Sequence, residues 1–220
     1  MNRREPGPDV VRGVGPAARP GRPPTTTAAQ IQRAAIALFA RQGYAETSVD
    51  DIAAALGIGR TTFFRYFRTK SSVIWHDLEN IRRLLVETLA QDGSGRPAMD
   101  VIREATLAAI NYDDGDRNFV RTRNELIGAA PELYAEGAGA SARWAQAIAS
   151  WVGTRLGADA NPTLPDAIGY AVLGSVSSAL QIWSGSTDLA LPVVLRASFD
   201  AITPPLQAAI DATFDAGDAL

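Results

Sequence analysis

The sequence predicts an all-α protein, with an N-terminal three-helix helix-turn-helix head and a larger C-terminal helical body, about nine helices in all. Three observations carry this prediction. Apolar residues recur at helical spacing along most of the chain, and no segment alternates in the manner of a half-buried strand. The stretch Ser48 to Phe67 then sets two short amphipathic patterns in succession, separated by a glycine, which is how a helix-turn-helix reads. Val49, Ile52, Ala53 and Leu56 share one face, Gly57 permits the turn, and Ile58, Phe63, Phe64 and Phe67 resume the apolar pattern.

The elements follow in order. Residues 1–24 hold Pro6, Pro8, Pro16, Pro20, Pro23 and Pro24 among glycines and arginines, a composition suited to a basic arm rather than a helix. Arg22 lies beside the first helix, where an extended arm can enter a minor groove. Helix 1 is expected from Thr26 or Thr27 to about Gln42, burying Ile31, Ala35, Leu38 and Phe39. Thr47-Ser48-Val-Asp50-Asp51 contains two overlapping cap patterns, so one hydroxyl caps helix 2 and the other is free to meet a phosphate. In the second helix of the pair, Arg60, Thr61, Thr62, Arg65 and Tyr66 are left facing outward, with chemistry that suits base edges and phosphates. Lys70, beside the start of a long helix from about Ser72 to Gln91, supplies a second phosphate clamp.

Residues 92–97 read as a loop, followed by helix 5 from about Ala98 to Tyr112 and helix 6 from about Asn118 to Ala129. The Asp113 to Asp116 cluster between them lacks the ligand spacing and terminal glutamate of a calcium loop and reads as a solvated turn. Helix 7, about Pro131 to Leu156, contains Gly137-Ala-Gly139, where a kink or break is expected. Helix 8, about Asp166 to Trp183, carries Ile168, Val172, Ser175, Ala179 and Ile182 along one side, with Gly174 in a neighbouring small stripe. Helix 9 starts near Pro192 with Leu195 and Phe199, and Pro204-Pro205 should interrupt it before a last segment from Leu206 to Asp215.

Composition excludes several functions. The 220 residues are 46% hydrophobic and 20% charged, ordinary for a globular chain, and contain no cysteine and one histidine, His76. Neither a metal site nor a paired nucleophile is visible, so no catalytic residue, metal or cofactor is expected. The long uncharged run from Ala167 to Thr187 holds Gly169, Gly174, Ser175, Ser177, Ser178 and Gln181, which favours a buried helix over a membrane span. No apolar stretch opens the chain, so a cytoplasmic protein is expected. Charge is unevenly divided: residues 1–70 carry eleven basic against five acidic side chains, residues 71–220 ten against nineteen. A basic head on an acidic body suits a nucleic-acid reader joined to a domain with another task.

Residues 25–85 resemble the DNA-binding domain of the TetR family of bacterial regulators. The resemblance rests on Ile31 to Ala40, Gly43-Tyr44, Thr47-Ser48-Val49, Asp51-Ile52-Ala53, Leu56-Gly57-Ile58, Phe64-Arg-Tyr-Phe67 and Lys70. The wording Ile58 to Phe67 is most similar to actinobacterial members such as mycofactocin-system regulators and relatives with an acyl-CoA-type ligand domain. This implies an arm over 1–24, a DNA-binding domain over 25–85 and a ligand-binding and dimerisation domain over 86–220. It makes Thr47 and Lys70 phosphate contacts and puts Arg60, Thr61, Thr62, Arg65 and Tyr66 on the DNA-facing helix, with Ser48 also near DNA. Phe64 departs from the family's frequent tyrosine. The implied function is a ligand-responsive regulator, a homodimeric repressor on an inverted-repeat operator, released by a small molecule of acyl-CoA-like type. Tyr112, Arg117, Arg121, Arg123, Asn124, Tyr134 and Trp144 are candidates for the ligand pocket. Ile168, Val172, Gly174, Ser175, Ala179, Ile182, Leu195 and Phe199 are candidates for the dimer interface. A second reading is a DNA-binding adaptor whose acidic body binds a protein.

Overall fold

The computed structural model describes residues 26–93, 95–157 and 163–217, less the side chains of 134, 135 and 215–217. Nine α-helices and no strand occur among these residues. The first, α1 (Ala28–Gln42), opens with Thr27 as N-cap: its hydroxyl accepts the Gln30 N–H at 3.2 Å while Gln30 Oε1 accepts the Thr27 N–H at 2.9 Å. Ser48 repeats the device with Asp51 at the start of α2 (Val49–Ala55). Gly57 adopts φ 63°, a left-handed conformation that lets the chain reverse into α3 (Arg60–Tyr66). Ile31, Phe39, Ile52, Phe63 and Phe67 then close a small core between these three helices.

A 3₁₀ turn, Ser71–Val73, precedes α4 (His76–Ala90), so the helix expected from Ser72 starts only after Trp75. The turn sinks Val73 and Ile74 into the head core, and Ile81, Leu85 and Leu89 of α4 enter a second core. That larger core is built with α5 (Ala98–Ala109), α6 (Arg117–Ala129), α7 (Pro131–Leu156), α8 (Thr163–Gly185) and α9 (Leu191–Gly217). Leu133 of α7 lies in the head core, and Phe119 of α6 packs against both. Head and body are thus packed together through α1, α4, α6 and α7.

Three expectations are corrected here. α7 runs unbroken through Gly137, because the glycine makes room for a neighbour: a Cβ there would overlap the Trp75 ring. α9 also runs unbroken, with Pro204 and Pro205 inside it. Two backbone donors are lost, but Phe199 before them and Ile210 after them are buried, and Gln207 Oε1 accepts the Met99 N–H at 2.9 Å. That bond also caps α5, whose N-cap residue Pro97 has no capping side chain. The third correction concerns the dimer interface. Ile168, Val172, Ala179, Leu195 and Phe199 are buried in the chain's own core and leave no surface for a second copy. The helical face of highest apolar content packs inward, leaving Gly174, Ser175 and Ile182 at least partly accessible. Gly174 makes no close approach within the chain; Gly169 does, where a Cβ would overlap the Ala145 carbonyl oxygen.

Candidate nucleic-acid interface and effector pocket

α3 is anchored by Phe63, which is fully buried, so the opposite side of the helix faces solvent. Arg60, Thr61, Phe64 and Arg65 are exposed there and Thr62 is half-buried. Arg60 Nη1 meets Asp50 Oδ2 of α2 at 2.8 Å and its guanidinium lies over the Phe64 ring at 5.4 Å. Arg65 lies over Tyr66 at 5.1 Å. Exposed pairs of this kind are weak and are readily exchanged for phosphate or base partners.

The flanking residues behave differently from expectation. Thr47 is 1% exposed and its hydroxyl donates to the Gly43 carbonyl at 2.7 Å, so here it is turned inward to the α1–α2 loop. Ser48 is the cap, and its hydroxyl is occupied on both sides by Asp51. The hydroxyl, and after it the Ser48 backbone N–H, donate to the Asp51 carboxyl and hold it below its usual range. Lys70 Nζ donates to the Tyr44 carbonyl at 2.6 Å and the Thr47 carbonyl at 3.0 Å, with the Tyr44 ring 4.0 Å away. It therefore fastens the α1–α2 loop. Tyr66 is half-buried and donates to the Thr26 carbonyl at 2.6 Å, fixing the start of α1 instead of projecting outward. Arg22 lies outside the described residues.

Where head meets body, three side chains converge on Asp77. Its Oδ1 accepts from Gln32 Nε2 of α1 at 2.8 Å, and its Oδ2 accepts from the Tyr112 hydroxyl and from Arg123 Nη1 of α6. Arg123 also donates to the Tyr112 oxygen at 3.0 Å. Burial pushes the Asp77 carboxyl up, but the Arg123 charge and the hydrogen bonds from Tyr112, Gln32 and Arg123 outweigh it, and the net direction is down. Burial pushes the Tyr112 hydroxyl up. Arg123 stays charged, because Asp77 offsets the burial that disfavours its cation. Sequence reasoning named Tyr112 and Arg123 but missed Gln32 and Asp77. A polar residue on the inward face of α1 at position 32, beside Ile31, was the available signal.

Next to this cluster a pocket of about 780 Å³ opens between α4, α6, α7 and α8, within the range of small-molecule sites. Its walls are mostly apolar, among them Leu78, Ile81, Ile127, Leu173, Val176 and Leu180. Asn124 and Trp144 line it, as does Arg123, and Tyr112 stands behind Arg123. Arg117 and Arg121 do not line it. Arg117 Nη1 donates to the Trp183 and Ser186 carbonyls at 2.8 and 2.7 Å, and Arg121 Nε to the Ser184 carbonyl at 2.7 Å. Both cations meet carbonyls at the C-terminal end of α8, where the helix dipole is negative. The Tyr134 side chain lies outside the described residues.

Comparison with known proteins decides the family. Residues 31–74 match the model of bacterial regulatory proteins of the tetR family, and residues 96–207 match the MftR C-terminal domain. A protein of Mycobacterium tuberculosis (strain ATCC 25618 / H37Rv), provisionally named the mycofactocin biosynthesis transcriptional regulator MftR, is 34% identical over 184 residues. The alignment spans 84% of this chain and 93% of that one. The chain belongs to the TetR family. A second relative, the HTH-type transcriptional regulator TcmR of Streptomyces glaucescens, is 31% identical over 193 residues, covering 80% of this chain and 83% of its own. Among solved structures, the TetR family regulator PfmR of Thermus thermophilus aligns with a TM-score of 0.49 at 20% identity, over 79% of this chain and 97% of that one.

As a TetR family member the protein is a DNA-binding transcription regulator, not an enzyme. The tetR match contains α3 and the MftR match contains most of the pocket wall. No helix among the described residues is long and apolar enough to cross a membrane.

Proposed function

We propose that this TetR family regulator is a repressor that binds an inverted-repeat operator as a homodimer through α3 and is released when a small molecule fills the body pocket. The observation that carries the reading is the position of that pocket: it adjoins the Asp77 cluster, and Asp77 holds Gln32 of the head. A ligand with different affinity for two arrangements of this junction shifts the separation of the two α3 helices, and with it the fit to successive major grooves. The pocket also favours a small molecule over a protein partner as the body's ligand. Its apolar walls suit an acyl chain, so an acyl-CoA-like effector belongs to this proposal.

For DNA contact the reading assigns Arg60, Thr61, Thr62 and Arg65, supported by their outward placement on α3. For the dimer it assigns the outer side of α8 and α9, supported by large apolar side chains left in solvent: Ile182 is 52% exposed, Val193 60% and Phe214 44%. Gel-shift titration on a selected operator tests the DNA surface. Thr62→Ala and Arg65→Ala should weaken operator binding, each by about 1–3 kcal/mol if the side chain reads a base, with the sedimentation profile unchanged. Unaltered affinity in both variants would remove α3 from the reading surface.

A further inference from the structure

Among the described residues, two that line the pocket carry buried nitrogens with no hydrogen-bond partner, Trp75 Nε1 and Arg123 Nε. Each carries a hydrogen it can only donate. A buried donor left unpaired is costly, and where it borders a cavity the missing partner is supplied by what enters the cavity. Two orphaned donors in one pocket call for an acceptor oxygen.

The charge of that acceptor follows from the lining. Arg123 is the one ionisable cation or carboxylate residue among the described side chains around the pocket, and its charge is balanced by Asp77. A carboxylate would bring a second anion beside Asp77 with no further cation among the lining side chains, and an ammonium would lie beside the Arg123 cation. An uncharged carbonyl can accept from donors of this kind without altering the balance. The surrounding walls require that it be carried on an apolar body.

We propose that Trp75 and Arg123 receive an uncharged carbonyl oxygen of the effector, and that Asp77 transmits its arrival to Gln32 in the head. The inference rests on the regulator reading above. A carbonyl drawn to Nε re-aims the guanidinium whose Nη1 holds Asp77 and Tyr112. Asp77 Oδ1 in turn holds the Gln32 amide, so the movement reaches α1 directly.

The test uses the full chain and three probes of equal chain length: methyl decanoate, decanoate and decylamine, titrated calorimetrically at neutral pH. The ester should bind about tenfold more tightly than either charged probe, and Trp75→Phe, which keeps a ring but removes the donor, should lower its affinity about three- to tenfold. Gln32→Met should still bind the ester but lose its effect on DNA affinity. Tighter binding of decanoate, an unchanged ester affinity in Trp75→Phe, or no binding of any probe would overturn the site. Ester release of DNA that survives in Gln32→Met would overturn the route through Asp77. A wild-type chain that selects no DNA sequence would instead count against the regulator reading, while the ester and Trp75→Phe titrations still decide the site.

Discussion

Asp77 is the residue on which most depends, since a single buried carboxylate satisfies donors from α1, from the segment after α5 and from α6. Asp77→Asn keeps the shape but leaves Arg123 buried without its counter-ion, which should cost about 3–5 kcal/mol. Because the folded Asp77 carboxyl lies below its unfolded value, its stabilisation is fully present above about pH 4 and is lost as pH falls through the folded value. Urea midpoints of the wild type and Asp77→Asn should therefore differ widely at pH 7 and converge below about pH 4. A gap that stays constant over that range would show that the charge of Asp77 contributes nothing. Thr47 and Ser48 illustrate how far residue roles can be read from sequence. Two hydroxyls in overlapping cap patterns are indistinguishable there, and the choice between them depends on Thr47 turning inward to the Gly43 carbonyl. Arg117 and Arg121 escaped for a related reason: their partners lie at the end of α8, more than sixty positions along the chain.

At the scale of elements, α1 to α3 were legible because their signals are local. Capping residues, Gly57 and apolar spacing each act within a few positions. α7 and α9 were less so. Glycine and proline weaken a helix by known amounts, but tertiary packing decides whether the helix yields, and both helices are held by neighbours distant in sequence. Gly137 gives this an experimental handle. Gly137→Val should displace the Trp75 ring and destabilise the chain by about 1–3 kcal/mol, with a changed near-ultraviolet circular dichroism spectrum from the tryptophan. A spectrum and thermal midpoint equal to wild type would mean that Trp75 does not rest on α7. The dimer face shows the opposite error. From sequence the strongest apolar stripe of α8 reads as a partner face, but the chain's own core takes it.

The whole molecule joins a basic N-terminal region to an acidic body, and the division of charge was plain in the sequence. Operator affinity should accordingly fall steeply with salt, with a slope close to the number of phosphates contacted. Arg60→Ala should flatten that slope if Arg60 meets a phosphate, whereas an unchanged slope would confine Arg60 to its pair with Asp50. What sequence could not disclose was the junction, where two cores of different helices share a wall and a buried polar cluster sits beside a pocket. Such an arrangement is made only by pairs far apart in the chain. The central claim is that α3 reads an inverted repeat in a dimer, and sequencing DNA selected from a random pool by the purified full chain tests it most directly. The account predicts enrichment of an inverted repeat whose half-sites lie about one helical turn, or a multiple of it, apart. A selected pool with no shared sequence, or with a single unrepeated site, would contradict it.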